Sequence, residues 1–425
     1  MSGGPFSSAH LWRQLCRQRL FVPALIILAL VVIVALLAPI LANNKPIYVL
    51  YQGQHLFPAL TFKKVYHIAL PGGPQLLAVE GTDWKSLSAD RIVWPLIPYG
   101  PMESDFRSAG YMPPLFRPEG TPSARHWLGT GKRGNDLLAG LIHGARTSLN
   151  VALGSVAIAF LIGIGIGAIG GFFGDRQLRI RLIHLFAAIP ALLLGWFYGF
   201  QTNLVAMLFP HLEQSPLLFY AKAGMMLAIA GIVLWSAHLL FHSSSLFQKK
   251  IPLPADTLLA RLTEIVLALP LLYLLVTLAA MSRPSVWHVV IIIGLTGWTT
   301  IARLVRAELM RIRELDYIKA AYLLGLSPWR ILWRHALPNA WAPALVSLAF
   351  GIGNVILAES ALSFLGIGMP AELPSWGALI SAGRENLQAW WLIVFPGLAI
   401  MLVVLCCNIV GEALRDALDP HYHGL

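Results

Sequence analysis

The side chains of this chain that could make or break bonds are not spaced to do so. His55, His67, His126 and His143 lie in one long mixed stretch, and none shows the H-E-x-x-H spacing that brings two imidazoles to one metal. No nucleophile constellation accompanies them, so an enzyme is the weakest reading. The hexapeptide GTGKRG (Gly129–Gly134) has the look of a phosphate loop. A Walker A loop needs Gly five residues before Gly131 and Ser or Thr after Lys132, but His126 and Arg133 stand there. Glu359 is a lone carboxylate within a long apolar run, and with Ser363 and Phe364 it forms a candidate pore or gate group. Two placements are open for it: lining a pore, or sitting at the outer interface.

A mechanical role suits the run KAAYLLGLSPWRILWRHALPN, Lys319 to Asn339. Ile318, Ala321, Tyr322 and Gly325 share one helical face. Ala320 and Ala321 are small enough to admit a close partner surface. Gly325 accepts the left-handed conformation that ends a helix. Ser327 offers an N-cap and Pro328 falls at the first helical position. The second helix puts Arg330 and Arg334 on a polar side and Trp329, Ile331, Leu332 and Trp333 toward the membrane interface, until Pro338 ends it. These residues predict a rigid helix–elbow–helix bracket. A few residues suffice to join two spans, so such a bracket reads as a handle for a cytoplasmic partner. The plain alternative is an interfacial helix pair.

The elements that must hold this bracket are apolar. The chain of 425 residues is 57% hydrophobic and 12% charged, against about 25% charged in soluble domains. Runs of roughly 20 apolar residues each reach across ~30 Å of hydrocarbon. Eight spans are expected, at about 20–42, 147–170, 179–209, 217–241, 262–281, 286–304, 341–362 and 391–411, the third overlong and tilted or broken at Pro190. The first exceeds the ~7–15 residues of a signal-peptide core and lacks an A-x-A site, so it reads as an uncleaved anchor. Residues 1–19 form a cytoplasmic amphipathic elbow helix, with Leu11, Trp12, Leu15 and Cys16 on one stripe and Arg13 and Arg17 on another. A plain basic leader is the alternative. Residues 43–146, with alternations such as IYVLY and RIVWPLI, form an extramembrane insert with strands.

Lys and Arg cluster before the first span and after the second, fourth and sixth spans. The short opposite loops carry only Arg283 and Arg384. Both termini and the bracket are therefore expected in the cytoplasm and the 43–146 insert outside. The same clustering explains the net charge of +11 without nucleic acid. Cys16, Cys406 and Cys407 imply no disulfide framework. RLIHLFAAIPALLL (Arg181–Leu194) and RLTEIVLALPLLYLL (Arg261–Leu275) share an Arg-Leu start and a Pro at equal offset. That echo marks either a partial duplication or two spans under the same rules.

KAAYLLG followed nine residues later by HALP resembles the coupling loop of ABC importer permeases, E-A-A-x3-G-x9-I-x-L-P, at Ala320, Ala321, Gly325, Leu337 and Pro338. Lys319 stands in place of Glu and His335 in place of Ile. His126–Leu149, Gly170–Asp175, Glu359–Ile380 and Gly411–Pro420 resemble further signatures of the dipeptide, oligopeptide and nickel permeases. Leu41–Leu60 resembles the insert of the microcin C and oligopeptide subtype. The resemblance implies an all-α polytopic membrane protein with the type I ABC importer permease fold, about eight transmembrane helices and a small extracytoplasmic mixed α/β or β insert.

Family members have about six spans, so residues 176–258 read as an inserted helix pair and 260–420 as the core permease domain with its coupling loop at 305–339. The resemblance further implies a bacterial inner-membrane permease, not an enzyme, that takes up peptides or peptide-like compounds. ATPase coupling would fall to Ala320, Ala321, Gly325, Leu326, Arg330, Leu337 and Pro338. The expected partners are a sister permease, two cytoplasmic ATPase subunits carrying ATP and Mg, a periplasmic solute-binding protein and the lipid bilayer. The chain itself would bind no cofactor. An ion-coupled secondary transporter is the rival, and it would need ionisable groups near mid-membrane that these spans scarcely provide.

Overall fold

The computed structural model describes residues 8–418 apart from 52, 61–64, 71–72, 79–83, 86–89, 118–124, 203, 209–216, 241–248, 282–283 and 371. Arg283, counted above in an outer loop, and Asp419 and Pro420 of the last signature lie outside the described residues.

In chain order the elements are α1 (Ser8–Arg17), α2 (Phe21–Leu36), α3 (Ala38–Leu41), β1 (Tyr48–Tyr51), β2 (Gln54–Leu56), β3 (Val65–Leu70), β4 (Gly73–Ala78), β5 (Arg91–Val93) and α4 (Leu137–Ala168). Then follow β6 (Arg179–Arg181), α5 (Leu182–Trp196), α6 (Leu204–Leu208), α7 (Leu217–Leu240), β7 (Lys250–Pro252), α8 (Ala255–Ala268) and α9 (Leu271–Met281). The chain closes with α10 (Val286–Ile312), α11 (Asp316–Leu323), α12 (Pro328–Ile331), α13 (Trp341–Phe364), α14 (Trp376–Gly383) and α15 (Trp391–Leu418). Residues Met1–Gly167 with Thr263–Leu425 form one compact unit and Ala168–Leu262 a second.

In the first unit, two apolar clusters knit the helices. Ala35, Leu149, Ile356, Trp376, Ile400 and Val403 join α2, α4, α13, α14 and α15. Val151, Leu275, Val289, Ile293 and Leu362 join α4, α9, α10 and α13. At the chain start, Leu15 and Phe21 pack on Ala413 and Ala417, and Gln18 Nε2 donates to Asp416 at 3.1 Å. The stretch between α3 and α4 holds an antiparallel sheet ordered β2–β1–β5 and a separate β3–β4 hairpin. Val49, Leu56 and Trp84 form the small core of the first.

The second unit contains a hairpin of α5 and α7. Gly195 and Gly199, one helical turn apart, let the two backbones touch: a Cβ on either would lie 2.7 Å from Met226 O or 2.9 Å from Lys222 O. Close approach of this kind is how apolar helices associate where lipid removes the hydrophobic drive.

Among the described residues, five helices are long and apolar enough to cross a membrane: Leu137–Phe173, Ala221–Leu240, Val286–Ile312, Trp341–Phe364 and Trp391–Leu418. The pair α8–α9, bent by 80° at its break, meets the same criterion when its two helices are taken together. Phe21–Leu36 and Phe186–Gly199 are shorter apolar helices at the places expected for the first and third spans. Two expectations need correction. The second span starts at Leu137, inside the stretch assigned to the outer insert, because Asp136 caps it there. The third does not break at Pro190; α5 runs through that residue. The bend comes in the later copy of the echo, where Pro270 lies in the break between α8 and α9; proline lacks the donor and excludes the residue before it from helix.

Candidate coupling bracket and cavity

The bracket is built from α11, α12 and the turns after them. α11 ends as the sequence requires: Gly325 has φ +75°, its N–H donates to Tyr322 O at 3.0 Å, and Leu326 N–H donates to Ala321 O at 3.3 Å. These paired bonds close a Schellman motif. Ser327 then caps α12, its Oγ accepting from Arg330 N at 3.4 Å. α12 is only four residues long and widens into a π turn at Leu332–Ala336 and a tight turn at Leu337–Asn339 before α13 begins. Asn339 closes the bracket: its Nδ2 donates to Tyr317 Oη at 3.1 Å and to His335 O at 2.9 Å.

The predicted coupling residues divide by exposure. Ala320, Gly325, Arg330 and Pro338 are exposed, Leu326 is half-buried, and Ala321 and Leu337 are buried. Ala321 therefore cannot be a seat for a partner surface. It packs inward like Ile318, because both fall on the face of α11 turned to the protein. The apolar residues of the second helix also split: Ile331 and Leu332 are buried, whereas Trp329 and Trp333 are exposed. The sequence reading missed the most exposed apolar side chains of the bracket, Leu323 (89%) and Leu324 (80%), at the tip of the elbow. Their position directly before the helix-ending glycine was the available signal.

Beside the bracket lies a cavity of about 1100 Å³ walled by α4, α8, α9, α10, α13 and α15. Glu308, Arg311, Asn339 and Arg415 line the end next to the bracket, and Leu275, Val355 and Ala358 the far end. Between them the wall is apolar, relieved by Thr299 and Thr300 of α10 and Ser347 and Asn354 of α13. No charged side chain lies in that middle section among the described residues. Asn339 belongs both to the bracket and to the cavity wall.

The candidate gate residues lie elsewhere. Glu359 is fully buried, and accepts from Ser148 Oγ of α4 at 2.9 Å and from Ser363 Oγ at 2.6 Å. It lines neither the cavity nor the outer interface, because α13 turns that face into the protein. Ser363 is buried with it. Phe364 is half-buried, with the Arg384 guanidinium 5.4 Å from its ring centre.

Residues of the GTGKRGND segment start α4 rather than cradle phosphate. Asp136 Oδ1 accepts from Ala139 N at 2.7 Å, and its Oδ2 lies 2.8 Å from His126 Nδ1. His126 Nε2 is 3.0 Å from Ser108 Oγ, and the ring stacks on Tyr99 at 4.2 Å. The three groups have the order of a Ser–His–Asp relay, but all are sealed from solvent, so no substrate reaches them and the cluster is a clasp. Burial, with Asp105 nearby, pushes the Tyr99 hydroxyl well up from its ordinary value. A more open contact, Lys132 Nζ to Glu385 Oε2 at 2.8 Å, joins this segment to the loop after α14. Their hydrogen bond raises the lysine and lowers the glutamate from their usual values. Among the described residues, no group of three or more His, Cys, Asp or Glu side chains converges as a metal site.

Residues 244–424 match the family described as binding-protein-dependent transport system inner membrane component. Residues 7–58 match the N-terminal TM domain of oligopeptide transport permease C. The chain is similar to the dipeptide transport system permease protein DppC of Alkalihalophilus pseudofirmus, 31% identical over 70% of this chain and 73% of the relative. It is 32% identical to the di/tripeptide transport system permease protein DppC of Pseudomonas aeruginosa, over 76% of this chain and 80% of the relative. With the inner membrane ABC transporter permease protein YejE of Escherichia coli it shares 27% identity over 91% of this chain and 89% of the relative.

Proposed function

We propose, from the premise that this chain belongs to the binding-protein-dependent ABC importer permeases of the dipeptide and oligopeptide type, that it imports peptides or peptide-like compounds by a push on its bracket. The chain is a multi-pass membrane permease subunit of an ATP-driven importer, and hydrolysis belongs to a separate subunit. An ATPase and a substrate-binding protein are its functional companions.

The bracket and both termini face the cytoplasm. Two ATPase subunits, holding ATP and Mg, dock on the brackets of this chain and a sister permease, and a periplasmic binding protein delivers the substrate. The observation that carries this reading is the elbow tip. Leu323 and Leu324 are bare apolar side chains on a capped, rigid turn, suited to a groove on another subunit. Ala320 leaves room beside them, and Arg330 is available to an acidic rim. Pushing the tip moves the closed loop of Tyr317 and Asn339, and Asn339 forms part of the cavity mouth. Closure of the ATPases would thereby shift the cytoplasmic ends of α10 and α13 and turn the cavity from one side to the other. A neutral, hydroxyl- and amide-bearing wall suits a peptide backbone, whose N–H and C=O groups need partners when taken from water.

The rival, ion-coupled reading is disfavoured: Glu359 lies outside the cavity, and the cavity's one carboxylate among the described residues, Glu308, sits at the end next to the bracket rather than in the middle section. The test is uptake of a labelled tripeptide by proteoliposomes containing the complete transporter. Uptake driven by ATP, with its binding protein on the outer side, is expected. Uptake driven by an ion gradient without ATP would overturn the reading.

A further inference from the structure

Two basic loops pair in space within the second unit. β6 and β7 form an antiparallel ribbon with Arg179 opposite Pro252, Ile180 opposite Ile251 and Arg181 opposite Lys250. Alternation along a strand puts Arg179, Arg181 and Lys250 on one face and Ile180 and Ile251 on the other. Arg176 and Lys249, both exposed, flank the ribbon.

Like charges directly opposite one another across two strands repel, and a two-stranded ribbon is marginal by itself. Among the described residues no carboxylate forms an ion pair with Arg179, Arg181, Lys249 or Lys250. Asp175, close by in sequence, accepts from Thr257 N at 2.9 Å and from Thr257 Oγ1 at 2.7 Å. The strand β6 passes without a break into α5, an apolar helix of 15 residues, whose first amides add partial positive charge at the same point. The ribbon thus gathers cations where apolar helices leave the hydrocarbon, with half-buried isoleucines on its other face. Basic clusters at that level are matched by a negatively charged leaflet.

We propose that the β6–β7 ribbon is a docking surface for anionic phospholipid headgroups of the cytoplasmic leaflet. The proposal rests on the cytoplasmic placement of the bracket given under the proposed function, since the basic residues after the second and fourth spans lie on the same side as the bracket by the count of Lys and Arg. The bilayer fits better than a protein partner because the charge is spread along a short ribbon at the ends of apolar helices, with half-buried isoleucines on its other face.

The experiment uses the whole transporter in nanodiscs of phosphatidylcholine, with or without phosphatidylglycerol. Retained phosphatidylglycerol is counted by native mass spectrometry, and Tm is measured in both lipids. Arg181→Gln and Lys250→Gln should each lower retention about fivefold, while Arg181→Lys and the outer-loop control Arg133→Gln should not. Arg181→Gln should raise Tm in neutral lipid, where it relieves repulsion, and lower it when phosphatidylglycerol is present. That reversal of sign is not expected of a residue that only supports the fold. Unchanged retention, or one sign of Tm change in both lipids, would overturn the proposal. So would loss of the ATPase subunits with retention unaltered, which would identify a protein contact. Labelling of Arg176→Cys from the outer side alone would overturn the placement on which the proposal stands, while ATP-driven uptake would leave the importer reading intact.

Discussion

Asn339 Nδ2 donates to the hydroxyl of Tyr317 across 3.1 Å, joining the last residue of the bracket to its first helix. The same asparagine contributes to the cavity wall, so one side chain links the outer surface of the bracket with the interior. Tyr317→Phe removes this bond and leaves the bond from Asn339 to His335 in place. A hydrogen bond contributes about 0.5–1.5 kcal/mol, so Tm should fall by a few degrees at most. Coupling should suffer more: peptide transported per ATP hydrolysed should drop several-fold in proteoliposomes. An unchanged ratio would show that the bracket does not act as a closed unit.

Gly325 isolates a backbone effect. Its φ is +75°, and a Cβ added there would have no neighbour within 4 Å, so a side chain meets only open space. The cost of Gly325→Ala is therefore conformational, about 1–2 kcal/mol, and Gly325→Asn should cost less because Asn tolerates the left-handed region. Thermal unfolding of the purified transporter should rank the three as Gly, Asn, Ala. Equal Tm values for Gly and Ala would contradict the observed turn.

Glu359 should behave as a buried tie between α4 and α13. Glu359→Gln keeps an acceptor for one of its serines and should be tolerated. Glu359→Ala leaves both the Ser148 and Ser363 hydroxyls without that acceptor and opens a void, at about 2–5 kcal/mol in all. The prediction is a large loss of folded protein in detergent for the alanine variant alone. Equal losses in both would point to a role for the charge itself.

The contact of Lys132 and Glu385 should answer to pH in one direction at each end. Glu385 titrates below its ordinary value, so its contribution is complete above about pH 4.5 and fades as pH falls through the lower folded value. Lys132 titrates above its ordinary value, so its contribution is complete below about pH 10.4 and fades above it. Both groups are exposed, and salt should weaken the contact. Glu385→Gln should thus produce a small fall in Tm at neutral pH and low salt, and none in strong salt or well below pH 4. A fall that persists in strong salt would indicate packing rather than charge.

The local rules for helix ends were legible in the sequence. Gly325, Ser327 and Pro328 specify a stop, a cap and a start that need nothing from the rest of the chain, and the structure has all three. Apolar runs likewise announced the helices, since the period and length of such runs are set by the solvent around them. What could not be read was the side a residue faces once helices pack. Ala320 and Ala321 are neighbours of the same type, yet one is exposed and the other buried, and only the placement of α11 against the protein decides which. Glu359 read as either pore-lining or interfacial because a lone carboxylate in an apolar span is costly; it is neither, and its compensation comes from Ser148, 211 residues away. The cavity wall is equally non-local, because Thr299 and Asn354 sit on helices whose own patterns do not single them out.

The most direct measurement concerns the elbow tip. Leu324→Asp places a charge on a side chain that is 80% exposed in the isolated chain, so folding and membrane insertion should be unaffected. In the reconstituted transporter the variant should lose at least about tenfold in ATP-driven peptide uptake, the effect of burying an unpaired charge in an interface, with loss of ATPase subunits from the purified complex or hydrolysis no longer tied to uptake. Uptake equal to that of the unaltered transporter, with the ATPases still bound, would contradict the account.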